Sequence, residues 1–129
     1  MKINKEEIPV IMSGSGTVLR SQKHLGKMTA SYNEMTAGTD FGPHLRGLKK
    51  DHCHCSHYGA VLEGTLLITY DNGEEELIKD GDIFYIPPGH SAKVERDLKI
   101  IVFSTTKEHT EVLNHVVKSI GELNNMTKI

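Results

Sequence analysis

Short β segments separated by strong turn signals fill residues 61–101, and this pattern limits the fold more than any other feature. Asp71-Asn72-Gly73 lies between the stretches LLITY and EEELI, which predicts a β-hairpin. Asp80-Gly81-Asp82 and Pro87-Pro88-Gly89 flank the next apolar stretch, IFYI. LKIIVF, at residues 98–103, is apolar almost throughout, as strands buried on both faces are. Closely spaced strands of this kind predict an all-β sandwich or barrel.

In the segments that flank this region, apolar residues recur with different periods. Residues 27–37 alternate weakly, with Met28, Ala30, Tyr32 and Glu34 on one face of a predicted strand. Residues 108–123 carry apolar side chains at helical spacing, namely Val112, Leu113, Val116, Val117, Ile120 and Leu123. We therefore predict a single domain over residues 1–129, with a β core at roughly 27–104 and a C-terminal helix at roughly 108–123.

Length and charge exclude several classes of protein. The 129 residues carry 15 Lys and Arg against 17 Asp and Glu, for a net charge of −2. No basic run exceeds Lys49-Lys50, so we expect no nucleic-acid partner. No stretch approaches the roughly 20 apolar residues of a membrane span, and the N-terminus is too charged for a signal peptide. We expect a cytoplasmic protein without a membrane partner.

The stretch DHCHCSHYG, at residues 51–59, holds three histidines and both cysteines of the chain. In a reducing compartment such cysteines are more often metal ligands or reactive thiols than disulfides. The single-residue spacing differs from that of thioredoxin-like redox enzymes, and no predicted helix follows to lower a thiol pKa. Buried thiols and imidazoles need polar partners, and a shared metal ion supplies them at once. The other histidines have no such neighbours, and we expect these to lie on the surface: His24, His44, His109 and His115.

Two segments resemble the motifs of the cupin superfamily. GDIFYIPPGH provides Gly81, five further residues, and Pro87-Pro88-Gly89, with His90 directly after them. In the first motif, His57 stands where cupins carry a metal-binding glutamate, six intervening residues before Gly64. A narrower group of small bacterial cupins, with C-x-C-P-H-W-G and P-P-G-H motifs, is more similar, and Gly38-Thr39-Asp40 fits its upstream motif. The resemblance spans residues 38–103 and implies a cupin jelly-roll β-barrel, usually a homodimer.

The resemblance and strand geometry together predict a metal site. If residues 53–61 form one unbroken strand, Cys53, Cys55 and His57 share a face. The resemblance directs His57 into the barrel, where His90 of the second motif joins the set. Two thiolates and two imidazoles suit tetrahedral zinc. Copper is a soft-ligand competitor, and iron is less favoured because His57 replaces the carboxylate.

A second ligand set follows if the chain bends at Cys55-Ser56. The bend would direct His52 and His54 inward, to join His57 and His90 in an all-histidine site. The sequence leaves both sets open.

Two functions follow from a metal inside a barrel. The first is a metal-dependent enzyme that acts on a small organic molecule, with Tyr58, Tyr85 or Glu34 as candidates for proton transfer or binding. The alternative is a non-catalytic metal- or ligand-binding protein with a closed structural zinc site. Coordination number separates the two, because a catalytic zinc keeps one position open and four protein ligands close it. The sequence alone decides neither enzyme activity, nor the reaction, nor the metal.

Overall fold

The fold is a strongly curved antiparallel sheet followed by one helix. The computed structural model describes the backbone of residues 1–127 and the side chains of residues 1–120. The strands are β1 (Val10–Gly14), β2 (Thr17–Leu25), β3 (Met28–Met35), β4 (His57–Tyr70), β5 (Glu75–Lys79), β6 (Ile83–Ile86) and β7 (His90–Thr105), and the helix is α1 (Thr106–Thr127). Short 3-10 turns lie at Lys5–Glu7, Gly42–Leu45 and Lys49–Asp51. The predicted all-β class with a C-terminal helix is confirmed.

The strands pair in the order β1-β2-β3-β7-β4-β5, and β6 pairs with β4. The hydrogen-bonded path has two ends, so among the described strands the sheet does not close into a complete barrel. Strand β4 pairs along its length with β7, while its other edge meets β6 first and β5 later. The change of partner occurs at register shifts around Gly64, whose φ of +103° is favourable for glycine. These shifts bend the long strands around the core.

The core lies on the concave face of the sheet. Strand β6 shows the alternation clearly, because Phe84 and Ile86 are buried while Ile83 and Tyr85 are exposed. The main core cluster comprises Leu19, Met35, Val61, Leu66, Ile68, Ile78, Phe84, Ile86, Val94, Leu98 and Ile100. The predicted hairpin joins β4 to β5, and a hydrogen bond of 2.9 Å from Gly73 N to Tyr70 O closes its turn. Apolar side chains from strands β2 to β7 thus pack into one core.

Helix α1 begins directly after β7, at Thr106, and continues to Thr127. Its buried residue Val116 packs with Leu45, Cys53 and Cys55 in a second apolar cluster. The predicted stripe is therefore turned towards the sheet, although the side chain of Leu123 lies outside the described residues. None of the helices in the described part of the chain is long and apolar enough to cross a lipid bilayer.

Candidate metal centre

The turn Pro87-Pro88-Gly89 fixes His90 against the loop that carries Cys53. The backbone N–H of Cys53 donates to the carbonyl of His90 at 2.7 Å, and the N–H groups of Gly89 and His90 donate to the carbonyl of Cys53 at 2.8 and 3.0 Å. Gly89 has a φ of +90°, which glycine adopts without steric cost. The two predicted motifs therefore meet through their main chains.

Cys53, His57 and His90 bring three potential metal donors together. Their donor atoms all lie within 4.8 Å of one another, and Cys53 Sγ is 3.6 Å from His57 Nε2. Donors bonded tetrahedrally to zinc at about 2.0–2.3 Å lie about 3.3–3.8 Å apart. The three residues, which we call the donor triad, therefore fit one ion after a small adjustment of side chains.

Hydrogen bonds orient both imidazoles of the donor triad. His90 donates from Nδ1 to the carbonyl of Pro87 at 2.8 Å, which leaves Nε2 with its lone pair. His57 Nδ1 lies 2.6 Å from the hydroxyl of Ser104, which is buried in β7. Such partners fix the tautomer and the ring plane of a metal-binding histidine. In each ring Nδ1 is thus engaged away from the site, and Nε2 is the nitrogen left to bind a metal ion.

The donor triad is uncharged in the metal-free protein at neutral pH. Burial, with smaller effects from His90 and His109, lowers the pKa of His57 to about 3. Burial also lowers the pKa of His90, despite its hydrogen bond to Pro87. Burial raises the pKa of the Cys53 thiol to about 11. A thiolate at this position needs a nearby cation, and the neutral imidazoles are ready to bind one.

Cys55 lies outside the donor triad. Its side chain is 0% exposed and packs with Leu45 and Val116, and its thiol donates to the carbonyl of Ser56 at 3.5 Å. Burial, with an added effect of Cys53, raises its pKa to about 12. Strand β4 begins only at His57, so the assumption of an unbroken strand from residue 53 is wrong. Ligation by Cys55 stays a prediction.

His52 and His54 point towards Asp71 and not towards the donor triad. His52 Nδ1 lies 2.5 Å from Asp71 Oδ1, and His54 Nε2 lies 3.6 Å from the other carboxylate oxygen. His54 Nε2 also lies 2.9 Å from the carbonyl of Lys49. The chain does bend near Cys55, but the bend does not bring the all-histidine set together.

His109 is the site residue that the sequence analysis missed. Its ring lies 6.2 Å from that of His57, centroid to centroid, at an interplanar angle of 88°. It lines the cavity between the sheet and helix α1, and burial lowers its pKa. The prediction that His109 lies on the surface is therefore wrong. The available signal was its helical spacing, three residues before Val112 and seven before Val116. His24 is exposed as predicted, while His44 and His115 are half-buried.

The three predicted proton-transfer candidates lie away from the cavity. Tyr58 and Tyr85 stack at 4.8 Å between centroids on the outer face of the sheet, and each is 50% exposed. Glu34 accepts a hydrogen bond of 2.7 Å from the hydroxyl of Tyr32. None of the three is among the residues that line the cavity.

A cavity of about 150 Å³ lies between the concave face of the sheet and helix α1, beside the donor triad. Most of its wall is aliphatic or aromatic, and Phe41 and Phe84 belong to it. Besides the donor triad, its polar lining residues are Arg20, Ser31, Asn33 and His109. The arrangement places three nitrogen or sulfur donors at the wall of a largely apolar chamber, which suits a small ligand.

Comparison with known proteins identifies the architecture. No protein-family model matches the sequence, and no curated protein matches it. Among solved structures, an RmlC-like cupin from Shewanella frigidimarina is 18% identical, over 80% of this chain and 87% of the other, with a TM-score of 0.56. KdgF from Halomonas sp. is 21% identical over 79% and 90% of the two chains, with a TM-score of 0.55.

The polyketide cyclase RemF from Streptomyces resistomycificus is 17% identical over 81% of this chain and 78% of its own, with a TM-score of 0.58. At these identities the likeness concerns the fold alone. Together with the sheet order and the C-terminal helix, it shows that this chain is built on the cupin fold.

Proposed function

We propose that the protein binds one divalent metal ion, most favourably zinc, through Cys53, His57 and His90, and acts through it on a small organic molecule. The observation that carries this proposal is the position of the donor triad, whose donor atoms lie within 4.8 Å of one another at the wall of the cavity. A mixed sulfur and nitrogen donor set favours zinc, with copper as the main competitor and iron as a weaker one.

The count of donors supports an enzyme. Three protein donors leave one position of a tetrahedral ion open, as catalytic zinc sites do. A zinc ion held there would act as a Lewis acid on an oxygen atom of the bound molecule. The chain itself contributes the rest: Ser104 and Pro87 orient the imidazoles, and the wall of the cavity offers a largely apolar surface to the substrate. RemF, a polyketide cyclase on the same fold, is an example of an enzyme on this scaffold.

The alternative is a closed, structural zinc site with Cys55 as the fourth ligand. Its support is the proximity of the two thiols, which are both buried in the same apolar cluster. A change of side-chain rotamer at Cys55 would be needed, because its thiol donates to Ser56. Four protein ligands would leave the ion no position for substrate.

Metal analysis of two matched variants tests the proposal. The untagged full chain is purified without chelators, and metal per chain is measured by elemental mass spectrometry for the wild type, Cys53→Ser and Cys55→Ser. We expect about one zinc per chain in the wild type and in Cys55→Ser, and little in Cys53→Ser. Equal loss in both variants would support the closed site. Zinc retained in Cys53→Ser would refute both.

Cobalt substitution adds an independent measurement. Thiolate-to-cobalt charge transfer grows with the number of sulfur ligands, and four-coordinate cobalt absorbs visible light strongly. We expect the spectrum of one thiolate, which does not change in Cys55→Ser. A fall in the charge-transfer band by about half in that variant would indicate two thiolates.

A homodimer and a cytoplasmic location belong to the same proposal. The outer face of β4 and β6 carries Tyr58, Leu62, Ile83 and Tyr85, and Ile83 is 89% exposed. Such an apolar patch suits an isologous contact with a second copy. Both cysteines are free and buried, which fits a reducing compartment.

A further inference from the structure

The size of the cavity matches a single six-membered ring. Its volume is about 150 Å³, and its wall includes Leu66, Ile68 and Phe84. An apolar cavity of about this volume, lined by Leu, Ile and Phe, stays dry and binds benzene. One six-membered ring fills this space, whereas a two-carbon acid would leave most of it empty.

Aromatic side chains favour an unsaturated ring. Two phenylalanines line the cavity. Phe41 lies directly before the 3-10 turn Gly42–Leu45, and Phe84 lies in β6. Edge-to-face contacts between aromatic rings contribute about 0.5–1.5 kcal/mol beyond burial of their area. A planar ring therefore has an advantage over a saturated ring of the same size.

The charge of the site calls for one anionic group on the ligand. A divalent ion bound by one thiolate and two neutral imidazoles has a net charge of +1. The described residues that line the cavity include no Asp or Glu. A buried positive charge needs a partner, and an anionic oxygen on the ligand can supply it.

Ser31 offers a second polar contact to the ligand. It lines the cavity and is 3% exposed, and its hydroxyl has no hydrogen-bond partner among the side chains that the structure describes. In the β3–β7 register Ser31 pairs with Val102, two residues along β7 from the partner of His57, Ser104. Two residues of a strand span about 7 Å. Ser31 is thus about one such step along the sheet from the support of His57, where its hydroxyl can contact a ring bound beside the donor triad.

From these observations we infer that the substrate or ligand of this site is a single aromatic ring that carries one carboxylate or phenolate group. The anionic oxygen faces the donor triad, and the ring occupies the apolar chamber between Phe41 and Phe84. This inference rests on the proposed function for its head group, whereas the ring is selected by the cavity alone.

The test uses benzoate as the probe and the zinc-loaded full chain, whose metal content is first measured. Dissociation constants for benzoate, acetate, cyclohexanecarboxylate and 2-naphthoate are compared by calorimetry or by ligand NMR. We expect benzoate to bind at least about tenfold more tightly than acetate, because burial of the ring adds apolar contact. We also expect weaker binding of cyclohexanecarboxylate and of 2-naphthoate.

Two variants locate the binding in the cavity. Ala92 lines the cavity, so Ala92→Leu fills part of it, and Val102→Leu is the second choice if the first variant does not fold. Ala37→Leu, at an exposed loop position, is the matched control. We expect benzoate binding to be lost in the first variant and kept in the control, with zinc content equal in both.

The outcomes separate the inference from the proposed function. Equal binding of acetate and benzoate, or unchanged benzoate binding in Ala92→Leu, would overturn the inference that a ring occupies the cavity. Equal binding of cyclohexanecarboxylate would overturn its aromatic character. Benzoate binding that survives metal removal would overturn the head-group assignment. If no zinc is bound, the proposed function and the assignment of the anionic head group both fail. The ring is then tested with toluene: binding that is lost in Ala92→Leu supports a ring in the cavity, and no binding overturns it.

Discussion

Cys53 and His90 exchange two backbone hydrogen bonds, of 2.7 and 3.0 Å, although they belong to motifs that lie far apart in the chain. This bridge fixes a loop residue against the first residue of β7, and it depends on the turn that ends at Gly89. The geometry of the donor triad is therefore set by the main chain as well as by side-chain packing.

A methyl group at Gly89 should disturb this bridge and weaken metal binding. A Cβ there would lie 2.5 Å from Asp71 Oδ2, and the φ of +90° would be strained. Gly73→Ala is the matched control, because its φ is +86° and a Cβ would meet nothing within 4 Å. We expect both variants to lose about 1 kcal/mol of unfolding free energy from backbone strain. Only Gly89→Ala should also lose zinc affinity, and equal zinc affinity in the two variants would contradict this view.

The hydroxyl of Ser104 should raise the zinc affinity through His57. It lies 2.6 Å from His57 Nδ1, and partners of this kind typically change metal affinity by about 10–100-fold. Ser104→Ala should weaken zinc binding in a competition titration with a chromophoric chelator. Ser119→Ala removes a similar contact, of 2.9 Å to His44 Nδ1, and should leave zinc binding unchanged. Equal effects of the two substitutions would mean that the Ser104 contact is not specific to the metal.

Zinc affinity should rise with pH by one logarithmic unit per pH unit near neutrality. Burial raises the pKa of Cys53 to about 11, so this thiol must lose its proton when zinc binds. Burial lowers the pKa of His57 to about 3, so its imidazole has no proton to lose above pH 6. One proton is then released per ion, which gives a slope of about one between pH 6.5 and 8.5. A slope near two would show that Cys55 ionises as well.

A charge at Ile83 should dissociate the expected homodimer. Ile83 is 89% exposed on β6, within the apolar patch that includes Tyr58 and Tyr85. Ile83→Lys should convert the dimer to a monomer in light scattering, because a buried lysine without a partner is costly. Leu77→Lys is the control, since Leu77 is 60% exposed on β5, outside this patch. A dimer that survives Ile83→Lys must be formed by another surface.

Much of the fold was readable from local patterns. The turn residues at 71–73, the alternation in IFYI and the apolar stripe of residues 112–120 act over short distances, and each gave the correct element. The resemblance to cupin motifs predicted His57 and His90 as partners, and the structure brings their donor atoms together. The boundaries were less accurate, since α1 begins at Thr106 and β7 at His90.

The side chains of residues 52–55 depended on tertiary structure. Alternation of faces holds only within a hydrogen-bonded strand, and pairing of β4 begins at His57, opposite Ile86. Before that point, the bridge to His90 turns Cys53 inward, Asp71 attracts His52, and α1 covers Cys55. His109 enters the cavity for the same reason, because the docking of the helix decides which of its residues reach the sheet. The sequence determined the strands, the helix and the available donor atoms, while contacts between distant segments decided which donors share a site.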